Sequence, residues 1–206
     1  MASSARVFDR YTFRSAGTLD VYGSIAYVST TKYPKVRPEF EEARQLVLAM
    51  KLGDTNAIQA CAKVMARHPT LRGFRGIVSP APRSTAERTP HVLLAKLLVS
   101  HGVGTEVKSV IKRISPVPSS RILRQQGLEG IPYEKHVETM GADPEVATTQ
   151  VPILLIDDVF TEGNTLRASA TVIRRAGFLG TIISATAGYS VLTPAGSPYT
   201  PKHFMV

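Results

Sequence analysis

Val151-Pro-Ile-Leu-Leu-Ile-Asp-Asp-Val-Phe-Thr-Glu-Gly-Asn-Thr-Leu166 is the stretch whose reading decides the fold. Ile153 to Ile156 form an unbroken apolar run, the pattern of a strand covered on both faces, as in parallel sheets. The run ends in two adjacent carboxylates, Asp157 and Asp158. A short loop with Thr161, Gly163 and Thr165 then leads into a helix from Leu166 to Ala176, stopped at Gly177. In open parallel sheets ligands bind at the carboxyl ends of strands. A loop that opens a helix there offers backbone N–H groups, hydroxyls and the positive end of the helix dipole to a phosphate. Gly163 permits close approach of the backbone, and the carboxylates can accept hydrogen bonds from vicinal hydroxyls. A phosphate cradle beside a diol clamp suits a ribose 5-phosphate.

Outward from this stretch, strands and helices alternate. Thr181 to Ala187 reads as a further strand. Upstream, Val107 to Ile114 reads as a strand, and a long polar segment runs from Ser115 to Gln150. His91 to Ser100 reads as an apolar helix closed by Gly102, and Ile77-Val78 as a short strand entering the Pro-rich segment Ser79 to Ser84. Pro38 suits the first position of a helix, Glu39, Glu41 and Glu42 suit its positive end, Leu46, Val47 and Met50 lie at helical spacing, and Gly53 marks a stop. Asp54 or Thr55 can cap a second helix running to about Arg67 and ending before Pro69. The first 35 residues are polar, with one alternating stretch near Tyr22 to Val28. This alternation predicts one α/β domain over residues 1–206, with a mainly parallel sheet flanked by helices.

Composition is consistent with a globular chain: 206 residues, 43% hydrophobic and 20% charged, which excludes disorder as the main state. Lys and Arg outnumber Asp and Glu by 25 to 16, a net charge of +9, which favours an anionic partner. No apolar run reaches the ~18 residues of a membrane span, and the first residues lack the apolar centre of a signal peptide. The single cysteine, Cys61, excludes an internal disulfide and any multi-cysteine zinc site. A cytoplasmic, reducing location is expected.

The stretch 151–166 resembles the PRPP-binding signature of type I phosphoribosyltransferases: four apolar residues, an acidic pair, then Thr-x-Gly-x-Thr. It is most similar to the orotate and competence-protein-F (ComF) branches, which share Asp-Asp-Val-x-Thr. The resemblance implies a phosphoribosyltransferase-like core at about residues 44–187, with flanks 1–35 and 189–206 as hood or extensions. It implies that Asp157 and Asp158 hold the ribose hydroxyls, and that Thr161, Glu162, Gly163, Asn164 and Thr165 bind the 5′-phosphate. It implies PRPP and a small-molecule acceptor as partners, Mg²⁺ carried mainly by PRPP near Asp157 and Asp158 with no dedicated protein cage, and a homodimer. Two departures stand out. Thr161 replaces the acidic residue of the purine-salvage branch, which argues against a 6-oxopurine substrate. Glu162 stands where the family has Thr or Ala, and its carboxylate repels a phosphate unless it turns outward.

Further residues extend the resemblance. Ile77 to Ser84 is similar to the Val-Pro-x-Pro-x-x-Arg stretch of ComF-like members, so Pro82, Arg83, Ser84 and Arg88 are expected at the pyrophosphate, Arg83 through charge-assisted bonds. The basic, Pro- and Gly-punctuated stretch Val107 to Leu128 is expected as a closing loop, with Lys112, Arg113, Arg121 and Arg124 as candidates. Arg44 to Gly53 resembles the Lys-x-Gly segment preceding the core in ComF-like proteins, but the cysteine-rich zinc module of that branch is missing. The reaction implied displaces pyrophosphate from C1 of PRPP by a nitrogen nucleophile, with no general base evident. The alternative is a ligand-sensing or nucleic-acid-associated protein that keeps the pocket without turnover, which the net charge fits equally. The five histidines are scattered, and no metal site built from them is expected.

Overall fold

The computed structural model describes residues 12–16, 19–27, 38–82, 90–118, 123 and 131–190. Among the described residues there are eight strands: β1 (Thr12–Ala16), β2 (Leu19–Tyr27), β3 (Ile77–Pro80), β4 (Glu106–Val107), β5 (Ile111–Arg113), β6 (Met140–Ala142), β7 (Ile153–Phe160) and β8 (Ile182–Ser190). The helices are α1 (Pro38–Lys51), α2 (Thr55–Ala66), α3 (Pro90–Ser100), α4 (Tyr133–Glu138) and α5 (Asn164–Arg175), with a 3₁₀ turn at Pro144–Thr148.

Six strands form one sheet in the order β1-β2-β8-β7-β3-β4. All neighbours are parallel except β1, which pairs antiparallel with β2 at one edge. β5 and β6 form a separate antiparallel pair. The mainly parallel α/β sheet expected from the sequence is therefore present. Ile153 to Ile156 are fully buried, as a central strand requires: β8 lies on one side of β7 and β3 on the other. α2 packs against both α1 and α3, and the three lie over β2, β8, β7 and β3, while α5, with α4 beside it, also packs on β7. No described helix is long and apolar enough to cross a membrane.

The local signals act where they stand in the chain. Gly53, at φ +91°, takes the left-handed turn that ends α1. Asp54 then accepts the Ala57 N–H at 2.7 Å and caps α2, satisfying one of the free donors of a helix start. Residues of the N-terminal flank supply β1 and β2, and β2 runs parallel to β8 from Val21 opposite Ser184 to Tyr27 opposite Ser190. Gly23 is required there, because a Cβ on it would lie 2.7 Å from Cδ1 of the buried Tyr189 ring.

Three expectations need correction. Val107 to Ile114 is not one strand. β4 ends after pairing with β3, the chain turns through a Val110 N–H bond to the Lys108 carbonyl, and β5 joins β6 instead. Ser79 Oγ accepts the Val110 N–H at 3.2 Å and fixes that turn. The long polar segment 115–150, to which the sequence reading assigns no element, contains α4, β6 and the 3₁₀ turn, anchored by the buried Ile131, His136, Met140 and Val146. The apolar strand does not stop at the acidic pair: β7 continues to Phe160, with Asp157 opposite Thr186 and Val159 opposite Gly188.

Candidate functional site at the carboxyl ends of β3 and β7

The connections leaving β3 and β7 diverge. After β3 the chain moves outward to β4, whereas after β7 it moves the other way to β8. Between β3 and β7 lies the topological switch point where open α/β sheets bind ligands. Pro80 is opposite Ile156, and the Ala81 N–H bonds to the Ile156 carbonyl at 2.8 Å. The loop leaving β3 therefore starts beside Asp157. Pro82 is half-buried at its root; Arg83, Ser84 and Arg88 lie outside the described residues, as do Arg121 and Arg124.

The loop from β7 to α5 lines a small cavity with Asp157, Val159 to Leu166, Ile131 and His136. Thr161 and Glu162 are exposed, and Asn164 donates an amide hydrogen bond to Glu162 at 3.3 Å. Gly163 is the N-cap of α5 at φ +76° and ψ +9°. No side chain caps this helix, so its first-turn N–H groups are not taken up by an N-cap side chain. That conformation costs about 1–2 kcal/mol for a residue with a Cβ, which is why Gly stands here.

The two carboxylates are not equivalent. Asp157 lines the cavity, and its Oδ1 accepts the Asp158 N–H at 2.8 Å. Asp158 is 6% exposed; its Oδ1 accepts the Val159 N–H at 2.7 Å, and its Oδ2 lies 3.6 Å from Lys51 Nζ at the end of α1. Lys51 also stands over the Tyr27 ring at 5.7 Å. Asp157 thus meets the cavity and Asp158 meets Lys51, but one oxygen of each carboxylate converges on a shared neighbour. His91, in the first turn of α3 and fully buried, sits by both: its Nε2 is 3.6 Å from Asp157 Oδ1 and 3.9 Å from Asp158 Oδ2. One ligand atom from each of the three lies within 4.8 Å of the others, a spacing open to a metal ion.

A second cluster backs the cavity. Arg113, on β5, is 8% exposed. Its guanidinium donates to His136 Nδ1 at 2.5 Å and to Thr139 Oγ1 at 2.5 Å, while Thr139 donates onward to the Lys135 carbonyl at 2.6 Å. Burial and then the Arg113 charge push the His136 pKa down to about 4, so the ring is neutral at pH 7. With Nδ1 accepting, the remaining proton is on Nε2. Burial lowers Arg113 to about 10, opposed by the charge of Asp157. Of the closing-loop candidates, Lys112 is exposed on the other face of β5, and Arg113 is held in this network.

The sequence reading brought Asp157, Asp158 and residues 161–165 to one ligand site; in the fold Asp157 and residues 161–165 line one cavity, and Asp158 is not among its lining residues. The sequence reading assigned no site role to His91, Lys51 or His136. Their signals were a histidine one residue after Pro90, the lysine of the Lys-x-Gly segment ending at Gly53, and a histidine in a segment with no periodicity.

No family model matches the chain, and no curated protein matches it. Among solved structures the chain is similar to the allosteric regulatory enzyme of purine biosynthesis, at 14% identity and a TM-score of 0.41 over 65% of this chain. It spans about a quarter (26%) of that protein's length. It is also similar to adenine phosphoribosyltransferase from Saccharomyces cerevisiae, solved with an iminoaltritol bisphosphate and adenine, at 12% identity and a TM-score of 0.39 over 68% of this chain and 69% of that one.

Proposed function

We propose that this chain is a type I phosphoribosyltransferase-like protein that binds PRPP at the β3–β7 switch point and transfers its 5-phosphoribosyl group to a nitrogen nucleophile, a base or an amine, releasing pyrophosphate. The observation that carries this reading is the conjunction at the end of β7: a carboxylate and an uncapped helix start, reached through a left-handed glycine, face one cavity. The first-turn N–H groups of α5, with the Thr161 and Thr165 hydroxyls, hold the 5′-phosphate. Asp157 accepts from a ribose hydroxyl, and Asp158, tied to Lys51, fixes the end of the strand. His136, neutral and with its proton on Nε2, adds a donor to the cavity. Ala81 and Pro82, which leave β3 beside Asp157, mark the side on which the pyrophosphate would lie.

In the reaction the bond from C1 to the pyrophosphate oxygen breaks, and the bond from the acceptor nitrogen to C1 forms. The acceptor nitrogen's surplus proton passes to solvent or pyrophosphate. The chain's part is to position the ribose and exclude water. Asp157 and Asp158 would offer hard oxygen ligands to Mg²⁺ carried in by PRPP, and the ion would supply positive charge for the pyrophosphate.

The test is pyrophosphate release from PRPP and Mg²⁺ with a panel of free bases, ammonia and simple amines. Release that depends on one acceptor and is lost in Asp157→Asn supports transfer. PRPP binding without release from any acceptor would leave a sensor. The basic surface formed by Lys63, Arg67, Arg72 and His101, beside α2, favours that second reading in a nucleic-acid-associated form. Salt-dependent retardation of random DNA or RNA, weakened in Arg67→Ala/Arg72→Ala, would support it.

A further inference from the structure

We propose that His91, Asp157 and Asp158 hold a first-row divalent cation of the Mn²⁺ and Zn²⁺ class in the absence of any phosphoribosyl ligand. The acidic pair alone would not support this; the imidazole does. His91 is fully buried, and among the described residues neither ring nitrogen has a hydrogen-bond partner. Buried polar atoms are nearly always bonded, so an unbonded ring directed at two carboxylates marks a place for a ligand. Its Nε2 stands 3.6 and 3.9 Å from the nearest carboxylate oxygens, beyond a hydrogen bond. Ligands about 2.1 Å from a tetrahedral ion are separated by about 3.4 Å, so small side-chain movements close the site around an ion.

Outer contacts already orient the set. Backbone N–H groups of Asp158 and Val159 bond one oxygen of each carboxylate, the kind of support that fixes metal ligands. Among the described residues the positive groups nearby are Lys51, 3.6 Å from Asp158 Oδ2, and Arg113, whose charge reaches Asp157. Lys51 offsets part of the charge at Asp158 and competes with a cation there. An imidazole among carboxylates suits Mn²⁺ and, more tightly, Zn²⁺, whereas Mg²⁺ prefers oxygens and its own waters. The site thus differs in donor set from Mg²⁺ delivered by PRPP, and it stands or falls separately from phosphoribosyl transfer.

The experiment uses the whole chain, freed of metal by chelator and dialysis, and titrates MnCl₂ without PRPP while free Mn²⁺ is read by electron paramagnetic resonance. The expected result is one Mn²⁺ per chain, displaced by equimolar Zn²⁺ but not by equimolar Mg²⁺. Binding should be at least tenfold weaker in His91→Gln and tighter in Lys51→Gln. Pulsed measurements on Mn²⁺-loaded wild type should show ¹⁴N coupling from one imidazole, which needs no variant to fold. Stoichiometric binding unchanged in His91→Gln, absence of the ¹⁴N signal, or no binding at millimolar Mn²⁺ would each overturn the site. PRPP-induced stabilisation in a protein that binds no Mn²⁺ overturns the metal site alone; the reverse pattern overturns the phosphoribosyl reading alone.

Discussion

His136 should make the domain acid-sensitive in a defined window. Its imidazole is 5% exposed, and burial with the adjacent Arg113 charge moves its pKa from 6.5 to about 4. A base whose folded pKa is depressed contributes no penalty above both values. As pH falls below about 6.5 the unfolded chain takes up the proton while the folded chain refuses it, so stability is lost from there down to about 4. At pH 5 the unfolded imidazole is almost fully charged and the folded one almost fully neutral, which gives at most about 2 kcal/mol. Solvent screening of the Arg113 charge reduces this to roughly 1–2 kcal/mol. His136→Gln retains an acceptor for the guanidinium and cannot titrate. Urea unfolding of both proteins at pH 7.5 and pH 5 should show the wild type losing about 1–2 kcal/mol more than the variant, with His68 and the carboxylates cancelling between them. Equal losses would mean that His136 is not held neutral against Arg113, and that its proton is not reserved for the cavity.

Other substitutions probe the loop and the packing. Gly163→Val should cost about 1–2 kcal/mol of stability through strain at φ +76° and should abolish PRPP binding, measured by urea unfolding and calorimetric titration. Gly23→Ala should destabilise by about 1–3 kcal/mol, because the new methyl meets the Tyr189 ring at 2.7 Å; a neutral effect on the melting point would show that Tyr189 can move. Cys61, fully buried with its thiol pushed up to about 12, should not react with a disulfide reagent at pH 8 until denaturant is added.

How much of this was legible follows from the kind of signal each residue carries. The apolar run at Ile153 declares a central parallel strand because only a strand covered on both faces tolerates four such residues in succession. Gly53, Asp54 and Gly177 act through their own backbones or next neighbours, so their turns and caps could be read directly. The break between β4 and β5 could not be read, because Val107 to Ile114 has the local preferences of one strand and is divided by Ser79, distant in sequence. The same holds at the site. Asp157 and the loop to Thr165 form one continuous segment and were found together. His91, Lys51 and His136 reach it from α3, α1 and α4, and only the packing of those helices shows that they belong. The acidic pair reads in sequence as a single clamp. Pairing of β7 with β8 through Phe160 is what separates it into one carboxylate at the cavity and one against Lys51.

The central claim is that the end of β7 binds a ribose 5-phosphate, and the thermal unfolding midpoint with and without PRPP and Mg²⁺ tests it most directly. At a ligand concentration about a hundred times Kd the folded state gains roughly 2.7 kcal/mol, which for a chain of this length is about 5–10 °C. The account predicts that shift in the wild type and its loss in Asp157→Asn. No shift at millimolar PRPP, or an equal shift in the two proteins, would contradict it.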